Sequence, residues 1–97
     1  MNKNNILLLD YYQYLLSFYQ QDKEIVYTKK NNQNPPQRGK IIKIHYEDGI
    51  ENPYYTILLN DTNIEKQTIV DNLYLVDNPY INTEIKRIKH FIDTYQK

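Results

Sequence analysis

Short runs of β-branched and aromatic residues, separated by turn residues, fill the chain between Arg38 and Val76. Apolar and polar residues alternate within these runs, which is typical of strands that bury one face and not of helices. Together with one earlier run they predict five strands, at residues 24–29, 40–46, 54–60, 64–70 and 73–76. A single 3₁₀ turn is predicted at residues 70–72. This pattern predicts a small antiparallel β structure in the centre of the chain.

The segment before the strands, residues 1–22, predicts a helix that is apolar around most of its circumference. Its polar residues recur at steps of three and four, which places them on one narrow face: Asp10, Gln13, Ser17 and Gln20. The remaining apolar surface exceeds what one small β structure buries, so we expect part of this helix to contact a protein partner or a second copy of the chain. The residues expected to make that contact are Leu8, Tyr11, Tyr12, Leu15 and Tyr19.

A second helix is predicted at residues 79–97. Asn78 and Pro79 end the strand region, and Asn82 is expected to cap the helix by accepting hydrogen bonds from its first amides. Apolar residues then recur at helical spacing: Ile81, Ile85, Ile88, Ile92 and Tyr95. We expect both helices to pack together beside the strands in one compact domain, which is the size that 97 residues suit.

Three short motifs resemble the SH3-like small β-barrels of the tudor type. Gly39, Ile41 and Ile44 are similar to the glycine-led second strand of that family. Residues 54–57 resemble its aromatic third strand, and residues 63–65 resemble the start of its fourth. The resemblance implies a mainly β fold in which residues 24–76 close into a five-stranded barrel, flanked by an N-terminal and a C-terminal α-helix. It also implies a module that binds a partner and does not catalyse a reaction.

In that family, aromatic side chains hold a methylated lysine or arginine, because ring faces attract a cation. The resemblance places such a cage at Tyr27, Tyr46 and Tyr54. The turn after the third strand departs from the family pattern, since residues 60–65 lack the tyrosine and the glycine that its members often carry there. Recognition of methyl-lysine or methyl-arginine is therefore kept as an alternative function.

A local excess of positive charge lies around the second predicted strand. The whole chain has equal numbers of basic and acidic residues, 12 of each, yet no acidic residue occurs between Ile25 and Tyr46. The basic residues of this stretch are Lys29, Lys30, Arg38, Lys40 and Lys43. The motif at Gly39 is also similar to barrels of the KOW type, which contact phosphate backbones, so nucleic-acid binding here is a second alternative. A solvated loop, or a contact with an acidic protein surface, fits the same charges.

The sequence offers no set of residues suited to catalysis. It contains no cysteine, which excludes thiolate chemistry, disulfides and sulfur-rich zinc sites. The two histidines, His45 and His90, are far apart in sequence, and His45 is expected on the outer face of its strand. Carboxylates gather at residues 47, 48 and 51, but their spacing is not that of a calcium loop. We therefore expect a protein that is not an enzyme and uses no metal or cofactor.

Composition and segment length bear on where the chain works. No secretory signal follows Met1, and no apolar run approaches the ~20 residues of a membrane-spanning helix, so we expect an intracellular protein without a membrane partner. Abundant asparagine, isoleucine and lysine, with no alanine, are typical of an AT-rich genome such as that of a protist or a large DNA virus. The same bias places some of the 11 tyrosines on the surface without a function. The sequence favours a non-catalytic interaction module, a small adaptor or assembly subunit.

Overall fold

The computed structural model describes residues 3–30 and 34–95; the predictions that fall on residues 1–2, 31–33 and 96–97 lie outside the described residues. The elements, in chain order, are α1 (Lys3–Leu16), β1 (Glu24–Tyr27), β2 (Gln37–His45), β3 (Tyr54–Leu59), β4 (Glu65–Ile69), a 3₁₀ turn (Val70–Asn72), β5 (Leu73–Leu75) and α2 (Tyr80–Tyr95). The five predicted strands, the 3₁₀ turn and the two helices are therefore present. Alternation and turn chemistry were sufficient to locate them.

The strands form one antiparallel sheet in the order β4-β3-β2-β1-β5. Its edge strands β4 and β5 are consecutive in the chain and are joined only by the three-residue 3₁₀ turn, so the sheet must bend strongly. The bend is large enough for Lys66 of β4 to place its Nζ 5.7 Å from the ring centroid of Tyr27 on β1. The expected closure into a barrel is not observed: the 3₁₀ turn leads from β4 into β5, which pairs with β1, and the two edge strands β4 and β5 are not paired with each other.

A β-bulge in β2 determines which of its side chains face the core. Ile41 lies opposite Ile57 on β3, but the next pair is Lys43 with Thr56, so Ile42 is the extra residue. The bulge restores Ile44 to the inner face opposite the buried Tyr55. Ile44 is nevertheless only half-buried, because it lies near the open end of the sheet beside a surface groove.

The inner face of the sheet and both helices share one apolar core. The sheet contributes Ile25, Tyr27, Ile41, Tyr55, Ile57, Leu59, Leu73 and Leu75. The helices add Tyr12, Leu15, Leu16, Ile81, Ile85 and Ile88. The predicted packing of the two helices together and against the strands is thus observed. Neither helix, nor any other within the described part of the chain, is long and apolar enough to cross a membrane.

Helix α1 ends at Leu16 and not near Gln21 as predicted. The amides of Phe18 and Tyr19 each bond a carbonyl three residues earlier, at 3.2 and 3.0 Å, which tightens the last turn. Asp22 then adopts a left-handed backbone, with φ of 72°. This turn carries Tyr19 into the core, where its hydroxyl donates to the Leu73 carbonyl oxygen at 2.8 Å. A long-range hydrogen bond therefore replaces the last helical turns that local periodicity predicts.

The predicted capping role of Asn82 is wrong. Helix α2 begins two residues earlier, at Tyr80, so Asn82 lies within the first helical turn. Its fully buried side chain points across to the 3₁₀ turn and β5, and its Nδ2 lies 3.0 Å from the Val70 oxygen, 3.1 Å from the Asp71 oxygen and 2.8 Å from the Leu73 oxygen. A single amide thus fixes the segment that joins the two sheet edges.

Because three tyrosines are buried, we expect the fold to lose stability at high pH. Burial raises the pKa of Tyr12 to about 12 and raises the pKa values of Tyr19 and Tyr55 as well. Because these folded-state pKa values exceed the unfolded value of about 10, the stability from the neutral phenols is fully present below pH 10. It is then lost as the pH rises through the folded-state values.

We therefore expect the protein to unfold in an alkaline titration as the buried rings ionise. Circular dichroism measures the unfolding, and tyrosinate absorbance measures the ionisation. Tyr12→Phe has no proton to lose, so its alkaline midpoint should lie above that of the wild type. An unchanged midpoint in Tyr12→Phe would contradict this origin of the alkaline transition.

Candidate functional site

The docking residues predicted on α1 are divided between the core and the surface. Tyr12, Leu15 and Tyr19 are buried against the sheet and α2, so they are not available to a partner. Leu8 is half-buried and packs against the same core. Of the five predicted residues only Tyr11 is exposed. The prediction was wrong for the three buried residues, because an almost wholly apolar helix does not indicate by its sequence which side faces the sheet.

The exposed apolar surface of α1 lies on a different face of the helix from the buried Tyr12 and Leu15. Leu7 and Tyr14 are 62% and 56% exposed, and with Tyr11 they follow the i, i+4, i+7 spacing of one helical face. The Tyr11 and Tyr14 rings are stacked, with centroids 6.4 Å apart, and Tyr14 meets the edge of Phe18 at 5.2 Å. Large rigid rings are thus held in one row.

Phe91 on α2, the helix that packs against α1, is a further exposed aromatic residue. Arg87 lies over the Phe91 ring, with its Cζ 5.8 Å from the centroid. Hydrogen bonding to Glu84 raises the pKa of Arg87, and the charge interaction with Tyr11 on α1 acts in the same direction. We call the surface formed by Leu7, Tyr11, Tyr14 and Phe91 the aromatic ridge. Of these four residues, only Tyr11 was predicted from the sequence to contact a partner.

A groove of about 620 Å³ separates the end of α1 from the loop between β2 and β3. Its lining carries no charged side chain: Gln13, Leu16, Ser17, Tyr19, Gln20, Gln21, Ile44, Tyr46, Ile50, Pro53 and Tyr55. Ile50 and Tyr46 are exposed at its rim, by 67% and 53%. Gln13, on the polar face of the helix, donates from Nε2 to the Ile50 oxygen at 3.3 Å and links the loop to the helix.

The three tyrosines of the expected methyl-binding cage do not meet. Tyr27 pairs with Gln37 at the start of β2, whereas Tyr46 follows the end of the same strand, about 30 Å away along an extended chain. Tyr27 is also buried, with Lys66 over its ring. Tyr54 lies opposite His45 on the outer face, with the rings stacked 4.3 Å apart. Residues on opposite faces and ends of a strand do not enclose one cation.

His45 lies on the outer face, as its alternation predicted, yet neighbouring side chains cover it. Its Nε2 lies 2.7 Å from the Thr56 Oγ1, and its Nδ1 lies 3.7 Å from a Glu47 oxygen. Glu47 has a lowered pKa, through a hydrogen bond with its own backbone amide first and then through Tyr54, His45 and Lys43. This cluster links β2, β3 and the loop between them. Within residues 3–30 and 34–95 no three His, Asp or Glu side chains converge as a metal site.

The predicted basic stretch separates into two parts. Arg38, Lys40 and Lys43 are exposed along the outer face of β2, whereas Lys29 and Lys30 follow the end of β1. The latter two line a groove of about 510 Å³ with residues from β5 and α2, which we call the basic groove: Thr28, Lys29, Lys30, Ile69, Asp71, Asn72, Tyr74 and Lys86. Lys86 was not predicted to belong here, because only the tertiary fold brings α2 to the end of β1.

Comparison of the chain with protein-family models, with curated proteins and with solved structures finds no match. The function of this protein must therefore be inferred from the chemistry of its surfaces.

Proposed function

We propose that this protein is a non-catalytic protein-interaction module, a small adaptor or assembly subunit. Its framework is an open, SH3-like barrel of the tudor type with a helix pair packed beside it. The strand order, the single 3₁₀ turn between the last two strands and the strong bend of the sheet support this proposal. Fold alone does not define function, so the proposal rests on a surface.

The aromatic ridge is the observation that carries this function. Isolated exposed apolar residues are common, but a contiguous row of large apolar side chains marks a docking surface. Tyrosine and phenylalanine are suited to such contacts because they offer a large area with few rotatable bonds. The ridge lies on two helices that pack on the core, so a partner would meet a preformed surface. We propose that a partner protein with a complementary apolar surface docks here.

The test compares two variants of the full chain that remove exposed aromatic or aliphatic surface. Leu7→Ser with Tyr14→Ser disrupts the ridge, whereas Tyr80→Ser removes a tyrosine that is 75% exposed at the start of α2, about 16 Å along the helix from Phe91. Partners captured from the native source are quantified by mass spectrometry. We expect the ridge variant to recover a specific partner at least about tenfold less well than the wild type, with Tyr80→Ser unchanged.

Thermal unfolding of each variant provides the control for folding. Equal recovery by all three proteins would reject the ridge as the docking surface. A wild-type chain that sediments as a monomer at high concentration and captures no specific partner would reject the interaction function itself.

A further inference from the structure

The basic groove combines three chemical features that no single sequence segment contains. Lys29 and Lys30 come from the end of β1, and Lys86 comes from α2, more than 50 residues later in the chain. Ile69 adds an apolar wall that is half-exposed. Thr28 and Asn72 add a hydroxyl and an amide to the lining. Cations, an apolar wall and neutral hydrogen-bonding groups correspond to the phosphate, base and sugar of a nucleotide.

Lys86 is held at the wall of this groove by Tyr74. Its Nζ lies 3.0 Å from the Tyr74 hydroxyl oxygen and 5.1 Å from the ring centroid. A lysine that is already ordered loses less side-chain entropy when it binds an anion. The only carboxylate in the lining, Asp71, has its Oδ1 3.3 Å from Lys89 Nζ, so its charge is balanced from outside the groove. The net charge offered to a ligand is therefore positive.

The outer face of the sheet connects Tyr74, in the lining of the groove, with the basic residues of β2. Tyr74 on β5 lies opposite Val26 on β1, and Val26 lies opposite Arg38 on β2. Neighbouring strands are about 4.8 Å apart, so Arg38 stands roughly 10 Å from Tyr74. Lys40 and Lys43 continue along β2, with Glu24 opposite Lys40 as the acidic residue in this path. A linear polyanion could follow this path in an extended form.

We infer that the basic groove binds single-stranded nucleic acid, with Lys29, Lys30 and Lys86 contacting phosphates while one nucleotide enters the groove. A volume of about 510 Å³ suits a molecule of nucleotide size. A duplex, whose bases are stacked inside it, does not enter such a groove. The inference adds a second binding surface, distinct from the aromatic ridge and independent of it.

The experiment measures fluorescence anisotropy of a labelled oligo-uridine and of an RNA duplex of equal length, at several salt concentrations. We expect the single strand to bind the wild type at least about tenfold more tightly than the duplex. Three phosphate contacts give a slope of log K against log salt of about −2, since each contact to a single strand contributes about 0.7. The double variant K29Q/K86Q should reduce that slope by about 1.4.

A matched variant, K23Q/R87Q, removes the same charge elsewhere, from residues paired with Asp77 and Glu84. It should bind as the wild type does, and K29R/K86R should retain binding because it keeps the charges. Any of four results would overturn the inference: no binding at low salt, equal loss in K29Q/K86Q and K23Q/R87Q, equal or tighter binding of the duplex, or equally effective competition by heparin or polyglutamate. The last result would identify a general polyanion or acidic-protein surface instead.

Discussion

Asn82→Ala should lower the free energy of unfolding by about 2–4 kcal/mol, since it removes the amide donor shared by three main-chain oxygens and leaves a buried gap. In the variant the Val70 oxygen still accepts a hydrogen bond from the Leu73 amide, and the Leu73 oxygen still accepts one from the Tyr19 hydroxyl. The 3₁₀ turn should loosen at Asp71 in particular. Urea unfolding of the variant and the wild type measures the difference.

Asn82→Asp is the sharper form of this test because it keeps the shape of the side chain. Its carboxylate would face the same three carbonyl oxygens inside the core, so the folded-state pKa should lie above the unfolded value of about 3.9. Stability of the variant is then greatest below about pH 4 and is lost as the pH rises through the folded-state pKa. At neutral pH we expect a greater loss than for alanine. Equal stability of Asn82→Asp and wild type at neutral pH would contradict the assigned hydrogen bonds.

Gly39→Ala should also destabilise the fold strongly, by about 3 kcal/mol, because no room exists for a side chain there. A Cβ at Gly39 would overlap the carbonyl oxygen of Leu58 and press on the Leu59 Cα at 3.3 Å. Both obstacles are backbone atoms of the neighbouring strand, so β3 would have to move away from β2 and weaken their ladder.

Gly49 supplies the matched control for Gly39. It lies in the loop after β2 with φ of 103°, and a Cβ there would meet nothing within 4 Å. Gly49→Ala should therefore cause only backbone strain, about 1–2 kcal/mol. Denaturant midpoints of the two alanine variants give the comparison. A Gly39→Ala protein as stable as Gly49→Ala would show that β2 and β3 are not as close as described.

Local patterns predicted the strands well because side chains along a strand alternate between the buried and the exposed face of the sheet. Tyr55, Ile57 and Leu59 alternate with partly exposed residues, and all three are buried. The bulge at Ile42 has no comparable local signature, since Ile41, Ile42 and Ile44 are all apolar and β-branched. The sequence therefore predicted β2 but not the exposure of Ile44, which depends on where the neighbouring strand ends.

The candidate sites were harder to predict because they join distant segments. Lys29 and Lys30 were identified by a local excess of charge, whereas Lys86 belongs to an ordinary charged face of a helix. On α1, apolar residues surround most of the helix, so periodicity did not distinguish the buried Tyr12 from the exposed Tyr14. Only the packing of α1 against α2 and the shared core makes that distinction.

The hydrogen bond between Tyr19 and Leu73 has a consequence for the order of events during translation. The two residues are 54 positions apart, and Lys23 pairs with Asp77 across the same separation. At about 5–20 residues per second, the ribosome needs several seconds to make the segment that α1 requires for burial. During that interval Leu15 and Leu16 lack β5 and α2, which complete the core that buries them. Helix α1 of the nascent chain should therefore engage holdase chaperones until β5 and α2 have left the exit tunnel.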